Sequence, residues 1–234
     1  MKINRWVAIF PILIVLLTAS WGCGTGKALS TVAEDTKIVL PEPAYDSDTS
    51  LEESLLGRRS IRSFSEEAIT LKQVSQLLWA GQGITDPSGK RTAPSAGALY
   101  PLKVYAVIGN AEGAAPGVYV YEPASHTLTR VMDGDQRQSL AQAALGQASV
   151  KQGAIDIVIT AVYEKTTVKY GERGIRYVHM EAGHAAQNIC LQAVVLKLGT
   201  VTVGAFDDEN VQKALGLPAD EVPLYIIPAG NFTD

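Results

Sequence analysis

From Ile175 to Leu196, apolar residues return every three or four positions, at Val178, Ala182, Ala185, Ile189 and Ala193, and Gly199 closes the run. That period describes one long helix with an apolar stripe, which is stable only if the stripe packs on something. The helix must therefore be central. Residues 155–162 and 102–108 are near-continuous apolar, β-branched runs and supply candidate buried strands for it to lie on. Residues 118–121 and 127–131, around Pro123-Ala124-Ser125, read as a hairpin.

Local signals fill in the rest. Ser50 with Glu53 and Thr70 with Gln73 have capping-box spacing, opening helices over 51–56, stopped by Gly57, and over 71–80, ended by Gly81 and Gly83. A helix is expected over 135–145 and strands over 201–206 and 224–227. Another helix, capped by Asp207 or Asp208, runs to Leu215 before Gly216 and Pro218. Helices mixed with strands, and no βαβ unit carrying a glycine fingerprint, point to an α+β domain with a mixed sheet.

The chain has 234 residues, 47% hydrophobic and 19% charged, enough for one packed domain. Its two cysteines, Cys23 and Cys190, exclude a disulfide scaffold and a four-thiolate zinc site. A formal net charge of −4, from 20 Lys+Arg and 24 Asp+Glu, argues against a nucleic-acid surface.

The first residues are physically separate. Lys2 and Arg5 precede the uncharged stretch 6–21, which is interrupted by Pro11 and followed by Gly22, Cys23 and Gly24. As a helix the stretch spans about 24 Å, short of a ~30 Å hydrocarbon core, so 1–23 reads as a targeting segment. It is either a lipoprotein-type signal with Cys23 as lipidation candidate, from which Trp21 and Ser20 depart, or an uncleaved anchor. Either reading places the chain at a membrane surface, and cations ahead of the apolar run orient the domain extracytoplasmically. Residues 24–50, with Pro41, Pro43 and a polar run over 46–50, read as a tether with a mean reach of about 30 Å; 51–234 is the domain.

Three segments could carry chemistry. Arg58-Arg59-Ser60-Ile61-Arg62 concentrates cations and a hydroxyl suited to a phosphate or carboxylate. Thr92 to Pro101 sets small residues between prolines, letting a flat ligand approach the backbone. Lys169 and Tyr170 open a glycine-punctuated, donor-rich stretch leading into the long helix, and such a pair can relay a proton where a pKa is lowered. Each also has a plain reading, as a solvated basic turn, a loop and a surface loop respectively. Glu181 and His184 have the i, i+3 spacing of carboxylate-bridged metal sites, but the motif occurs once, which favours an ion-pairing carboxylate and structural histidines at His179 and His184. Cys190 reads as a small buried hydrophobe.

Taken together, RRSIRSF at 58–64, PSAGALYP at 94–101, KYGERGIRYVHMEAGHAAQN at 169–188 and VGAFDDE at 203–209 resemble, in that order, the SagB/ThcOx branch of the nitroreductase-like flavoproteins, over about residues 38–230. The resemblance implies an FMN-dependent oxidoreductase with the α+β nitroreductase fold: a mixed central sheet flanked by helices, and a homodimer binding flavin at its interface. It assigns the FMN phosphate to Arg58 and Ser60 assisted by Arg59, and places Arg62 near the ribityl chain and pyrimidine edge. Pro94, Ser95, Ala96, Gly97 and Leu99 would lie along the flavin, with Val203, Gly204 and Ala205 crossing its other side near N5. Lys169 and Tyr170 fit the positions implicated in removing a substrate proton. Ala98 stands where ordinary nitroreductases carry Asn, which is normal for this branch, and residues 230–234 lack the basic tail of many relatives. The substrate would be a small molecule or a peptide. The alternative is a non-catalytic, membrane-tethered binding module on a degenerate flavin fold.

Overall fold

The structure, a computed structural model, describes residues 36–233. The targeting segment, Cys23 and the first part of the tether segment lie outside the described residues. In chain order the strands are β1 (Lys37–Val39), β2 (Ile69–Thr70), β3 (Leu102–Ile108), β4 (Ala111–Glu112), β5 (Gly117–Glu122), β6 (Thr127–Asp133), β7 (Ile155–Ala161), β8 (Gly199–Thr200) and β9 (Val222–Gly230). The helices are α1 (Leu51–Gly57), α2 (Leu71–Gln82), α3 (Arg137–Ala143), α4 (Ala148–Gln152), α5 (Glu164–Tyr170), α6 (Arg173–Val195) and α7 (Asp208–Leu215), with a 3-10 turn at Ala96–Ala98.

Seven strands form one sheet in the order β1-β6-β5-β3-β7-β9-β8, with antiparallel pairings. A parallel bridge between Ser60 and Thr200 at the β8 edge makes it mixed, and β2 and β4 pair in parallel apart from it. The central strand β7 is buried along its whole length because helices cover both faces. Ile155, Ile157 and Ile159 meet Leu77 and Leu78 of α2 and Val178, Ala182, Ala185 and Ile189 of α6. Val158 points the other way, toward Leu140 of α3, Val150 of α4 and Val211 and Leu215 of α7. The period-2 alternation of a strand thus divides the core into two layers. Burying each such side chain stabilises by roughly 1.5–3 kcal/mol, and truncating fully buried Leu77 to Ala should cost about 2–5 kcal/mol.

Both capping boxes form: Ser50 Oγ accepts from Glu53 N at 3.1 Å while Glu53 Oε2 accepts from Ser50 N at 2.7 Å, and Thr70 and Gln73 repeat the exchange. The α+β architecture with one long helix is as expected from sequence. Three local features differ. Residues 201–206 are not a strand; Val203 alone bridges to Ile226, and the flanking backbone turns away from the sheet. Lys169 and Tyr170 are not loop residues but the last turn of α5, a helix made by packing: a Cβ at Gly174 would lie 3.0 Å from the Thr167 backbone, so α5 abuts α6 directly.

The third concerns the end of the tether segment. Ile38 and its neighbours add β1 to the sheet edge beside β6. Gln76 clamps Ala44 through both amide atoms, at 2.8 and 3.0 Å. Ser75 Oγ donates to Pro41 O at 2.5 Å. Residues 37–44 therefore lie on the domain.

Candidate functional site

The arginine run is laid along β8. Arg58 N donates to Ser54 O at the end of α1, and Ile61 N donates to Thr200 O at 2.9 Å, leaving Arg58, Arg59 and Ser60 on the turn between. Close approach is built in at Gly199, where a Cβ would lie 2.7 Å from Ile61 Cγ2. The guanidinium groups have different surroundings. Arg59 Nη1 folds back onto Leu56 O and Arg58 O, at 2.9 and 2.8 Å, satisfying carbonyls at the α1 C-terminus. Arg62 Nη1 reaches Ser60 O at 3.5 Å. Arg58 is half-buried and its guanidinium makes no hydrogen bond among the described residues; its charge falls on Cys190 of α6, whose thiol burial pushes up. Arg58 and the exposed Ser60 are thus the groups of the run left free to meet an anion.

The second segment, 94–100, is a loop of unusual backbone. Gly97, Ala98 and Tyr100 have φ of 63°, 56° and 47°, in the left-handed region that costs non-glycine residues free energy. Two bonds hold it: Tyr100 N donates to Ser95 Oγ at 2.9 Å, and Ala98 N donates to Ser95 O at 3.0 Å. A Cβ at Gly97 would lie 2.7 Å from Tyr170 Oη and 2.9 Å from Lys169 Nζ. The end of α5 therefore brings a hydroxyl and an ammonium to the one loop residue without a side chain.

Beneath the loop lies a polar cluster that sequence reasoning missed. Glu181, in the middle of α6 and only 2% exposed, is pushed up to about 7 by burial, against the Ser95 hydroxyl and the Arg91 charge, which favour its ionised form. Its Oε1 has no hydrogen-bond partner among the described residues. Arg91 donates to Gln82 Oε1 at 2.7 Å and stacks its guanidinium 4.4 Å from the Tyr100 ring centroid. Residues 82, 91, 95, 100 and 181 are far apart in sequence, so no local spacing marks them. His179 bonds Tyr163 Oη at 2.6 Å, and among the described residues no three His, Cys, Asp or Glu side chains group together.

The third segment leaves the same sheet edge as the arginine run. Val203 exchanges backbone bonds with Ile226 at 2.8 and 3.0 Å, after which Gly204 and Ala205 are exposed. Gln147 Nε2 pins Ala205 O at 2.9 Å, and a Cβ at Gly204 would meet nothing within 4 Å. Two half-sites result. Arg58, Ser60 and residues 203–205 gather at β8, whereas Pro94, Ser95, Ala96, Gly97 and Leu99 gather with Lys169 and Tyr170. α6 touches both, through Glu181 and Cys190, roughly 13 Å apart along its axis.

These arrangements suit a nucleotide-type ligand: a free guanidinium and hydroxyl for an anion, and two open backbone segments, one glycine in each, for a flat ring. Comparison with known proteins agrees. The Nitroreductase family pattern matches residues 55–231. The protein MJ1384 of Methanocaldococcus jannaschii, named as a nitroreductase, is 45% identical over 181 residues, which is 77% of this chain and 90% of that protein. The microcin B17-processing protein McbC of Escherichia coli is 30% identical over 213 residues, 86% of this chain and 78% of its own length. A crystal structure named as a nitroreductase from Anabaena variabilis has a TM-score of 0.75 at 30% identity over 84% of this chain; the chain spans 42% of that one.

The likenesses correct the expected localisation. A membrane-tethered, extracytoplasmic domain was expected from residues 1–23, but the solved structures similar to this chain are nitroreductases and related oxidoreductases. Among the described residues no helix is long and apolar enough to cross a membrane. That placement is withdrawn, together with the membrane-tethered binding module.

Proposed function

The chain belongs to the nitroreductase family and is an FMN-dependent oxidoreductase of α+β fold, and from that premise we propose that it is a dehydrogenase of the SagB/ThcOx type acting as a homodimer. The observation that carries the reading is the convergence of Lys169 Nζ and Tyr170 Oη on Gly97, which sets proton-handling groups against the loop assigned to the flavin. The 30% identity to McbC across most of the chain supports the same branch.

In this reading Arg58 and Ser60 bind the FMN phosphate, with Arg59 held by the α1 carbonyls and contributing charge. Arg62 faces the ribityl chain and pyrimidine edge, where a cation favours the negative charge of the reduced ring. Pro94, Ser95, Ala96, Gly97 and Leu99 form one wall, and Val203, Gly204 and Ala205 the other. Bound FMN supplies hydride acceptance and donation at N5. Lys169 and Tyr170 hold or remove the substrate proton beside Gly97, and Glu181 supports the loop from below through Ser95. The substrate is a small molecule or a peptide.

The homodimer is supported by α1, which is turned inside out. Its one buried residue is Ser54, while Leu51, Leu55 and Leu56 are 62%, 53% and 75% exposed. A cavity of about 270 Å³ beside it continues the face with Leu191 and Val195 of α6. Leucines arranged this way call for a partner surface.

Purification tests the reading. The protein should carry near-stoichiometric FMN that bleaches under dithionite and regains its colour in air. A colourless protein that takes up no added FMN would overturn the cofactor assignment for this chain.

A further inference from the structure

Lys169 and Tyr170 are the inner edge of a larger surface. Tyr170 and Tyr177 stand edge to face, their ring centroids 5.2 Å apart at 86°. Lys169 Nζ lies 5.4 Å from the Tyr170 centroid, and Arg173 Cζ lies 5.8 Å from that of Tyr177. Arg176, one turn on from Arg173 along α6, is exposed beside them. Among the described residues none of these three cations lies within 4.0 Å of a carboxylate. Val168 and Ile175 are 80% and 41% exposed, so the surroundings are partly apolar. In a chain of net charge −4, three cations with no carboxylate within 4.0 Å, although Glu172 stands among them in sequence, two of them over aromatic rings and one adjoining Gly97, are not average surface.

Its chemistry selects a ligand. Guanidinium forks match a carboxylate with two parallel bonds, and tyrosine rings offer rigid apolar faces to another ring at small entropic cost. Resting on the assignment of the 94–99 loop to the flavin, we propose that Arg173 and Arg176, backed by Tyr170 and Tyr177, form a substrate subsite that selects aromatic acids. The carboxylate sits on the guanidinium groups and the ring against the tyrosines, which directs the rest of the molecule toward Gly97. An exposed site of this kind is weakened by salt.

Benzoate and benzamide, nearly equal in shape and differing in charge, test the subsite by titration calorimetry of the purified protein at low ionic strength. Benzoate should bind about tenfold more tightly than benzamide, the ratio should shrink in high salt, and Arg173→Glu with Arg176→Glu should abolish it. Arg173→Lys, which keeps the charge but loses the fork, should retain part of the preference. Equal affinities in the wild type, or a ratio unchanged in the double variant, would overturn the subsite. Flavin absorbance of the same samples reports FMN separately: heat decides the acid preference, colour decides the cofactor.

Discussion

The Ser95 hydroxyl acts on the Glu181 carboxyl, favouring its ionised form against burial, which sets the middle of α6 beside the base of a loop whose backbone is strained at Ala98 and Tyr100. Burial raises the folded-state value from 4.5 to about 7. The folded protein therefore keeps a proton that the unfolded chain has lost over that interval. Stability contributed by the neutral form is fully present below about pH 4.5 and falls as pH rises to about 7, where the loss is complete. Glu181→Gln removes the dependence, so denaturant unfolding should find the variant more stable relative to wild type at pH 8 than at pH 5, by on the order of 2 kcal/mol. Parallel pH profiles for the two proteins would show that the carboxyl is not held neutral.

Arg58 and Arg59 should behave differently despite being neighbours. Arg58→Ala removes the free guanidinium and should weaken FMN binding about tenfold or more, the equivalent of at least ~1.4 kcal/mol, with unfolding unchanged. Arg59→Ala loses bonds to Leu56 O and Arg58 O, and should lower stability by about 0.5–1.5 kcal/mol with a smaller effect on FMN. Fluorescence titration of apoprotein with FMN separates the two, and equal FMN affinity in wild type and Arg58→Ala would remove the phosphate assignment.

The glycines of the two walls offer a second contrast. At Gly204 a Cβ has free space in the protein alone, so Gly204→Ala should fold normally yet bind FMN several-fold more weakly if the proposed placement puts the flavin on that side. Gly97→Ala meets Tyr170 Oη and Lys169 Nζ and adds left-handed strain of about 1 kcal/mol. It should displace both groups and reduce turnover more than FMN content. Unaltered FMN affinity in Gly204→Ala would mean that the ring lies elsewhere.

The outward leucines of α1 predict self-association. Leu55→Glu combined with Leu56→Glu places charges on a face with nothing buried to lose, so the fold should survive while sedimentation velocity shifts from dimer to monomer. A wild-type monomer at micromolar concentration would contradict the expectation.

Much of this architecture was legible because its signals are local or periodic. Ser50 with Glu53 and Thr70 with Gln73 announce their helices from four residues each, and the stripe from Ile175 to Leu196 marks α6 almost to its ends. What escaped depends on distant partners. Helix α5 is short and carries β-branched Thr166, Thr167 and Val168, and packing, including the contact at Gly174, fixes it. Val201 and Val203 alternate like a strand, yet a single bridge to Ile226 is all the pairing the chain path allows. The arginine run and the small-residue loop could be read as motifs, but Arg91, Gln82 and Glu181 beneath the loop are joined only by folding.

One consequence follows from α6 being a single helix of 23 residues without proline. Glu181 and Cys190 ride on the same rigid rod, so the supports of the two candidate regions are spaced by helical pitch instead of by flexible connections. Residues on its outward side, such as Arg173 and Arg176, can be exchanged freely without altering that spacing. The chemistry shown on its outer face can thus change while the ruler between the two regions stays the same length.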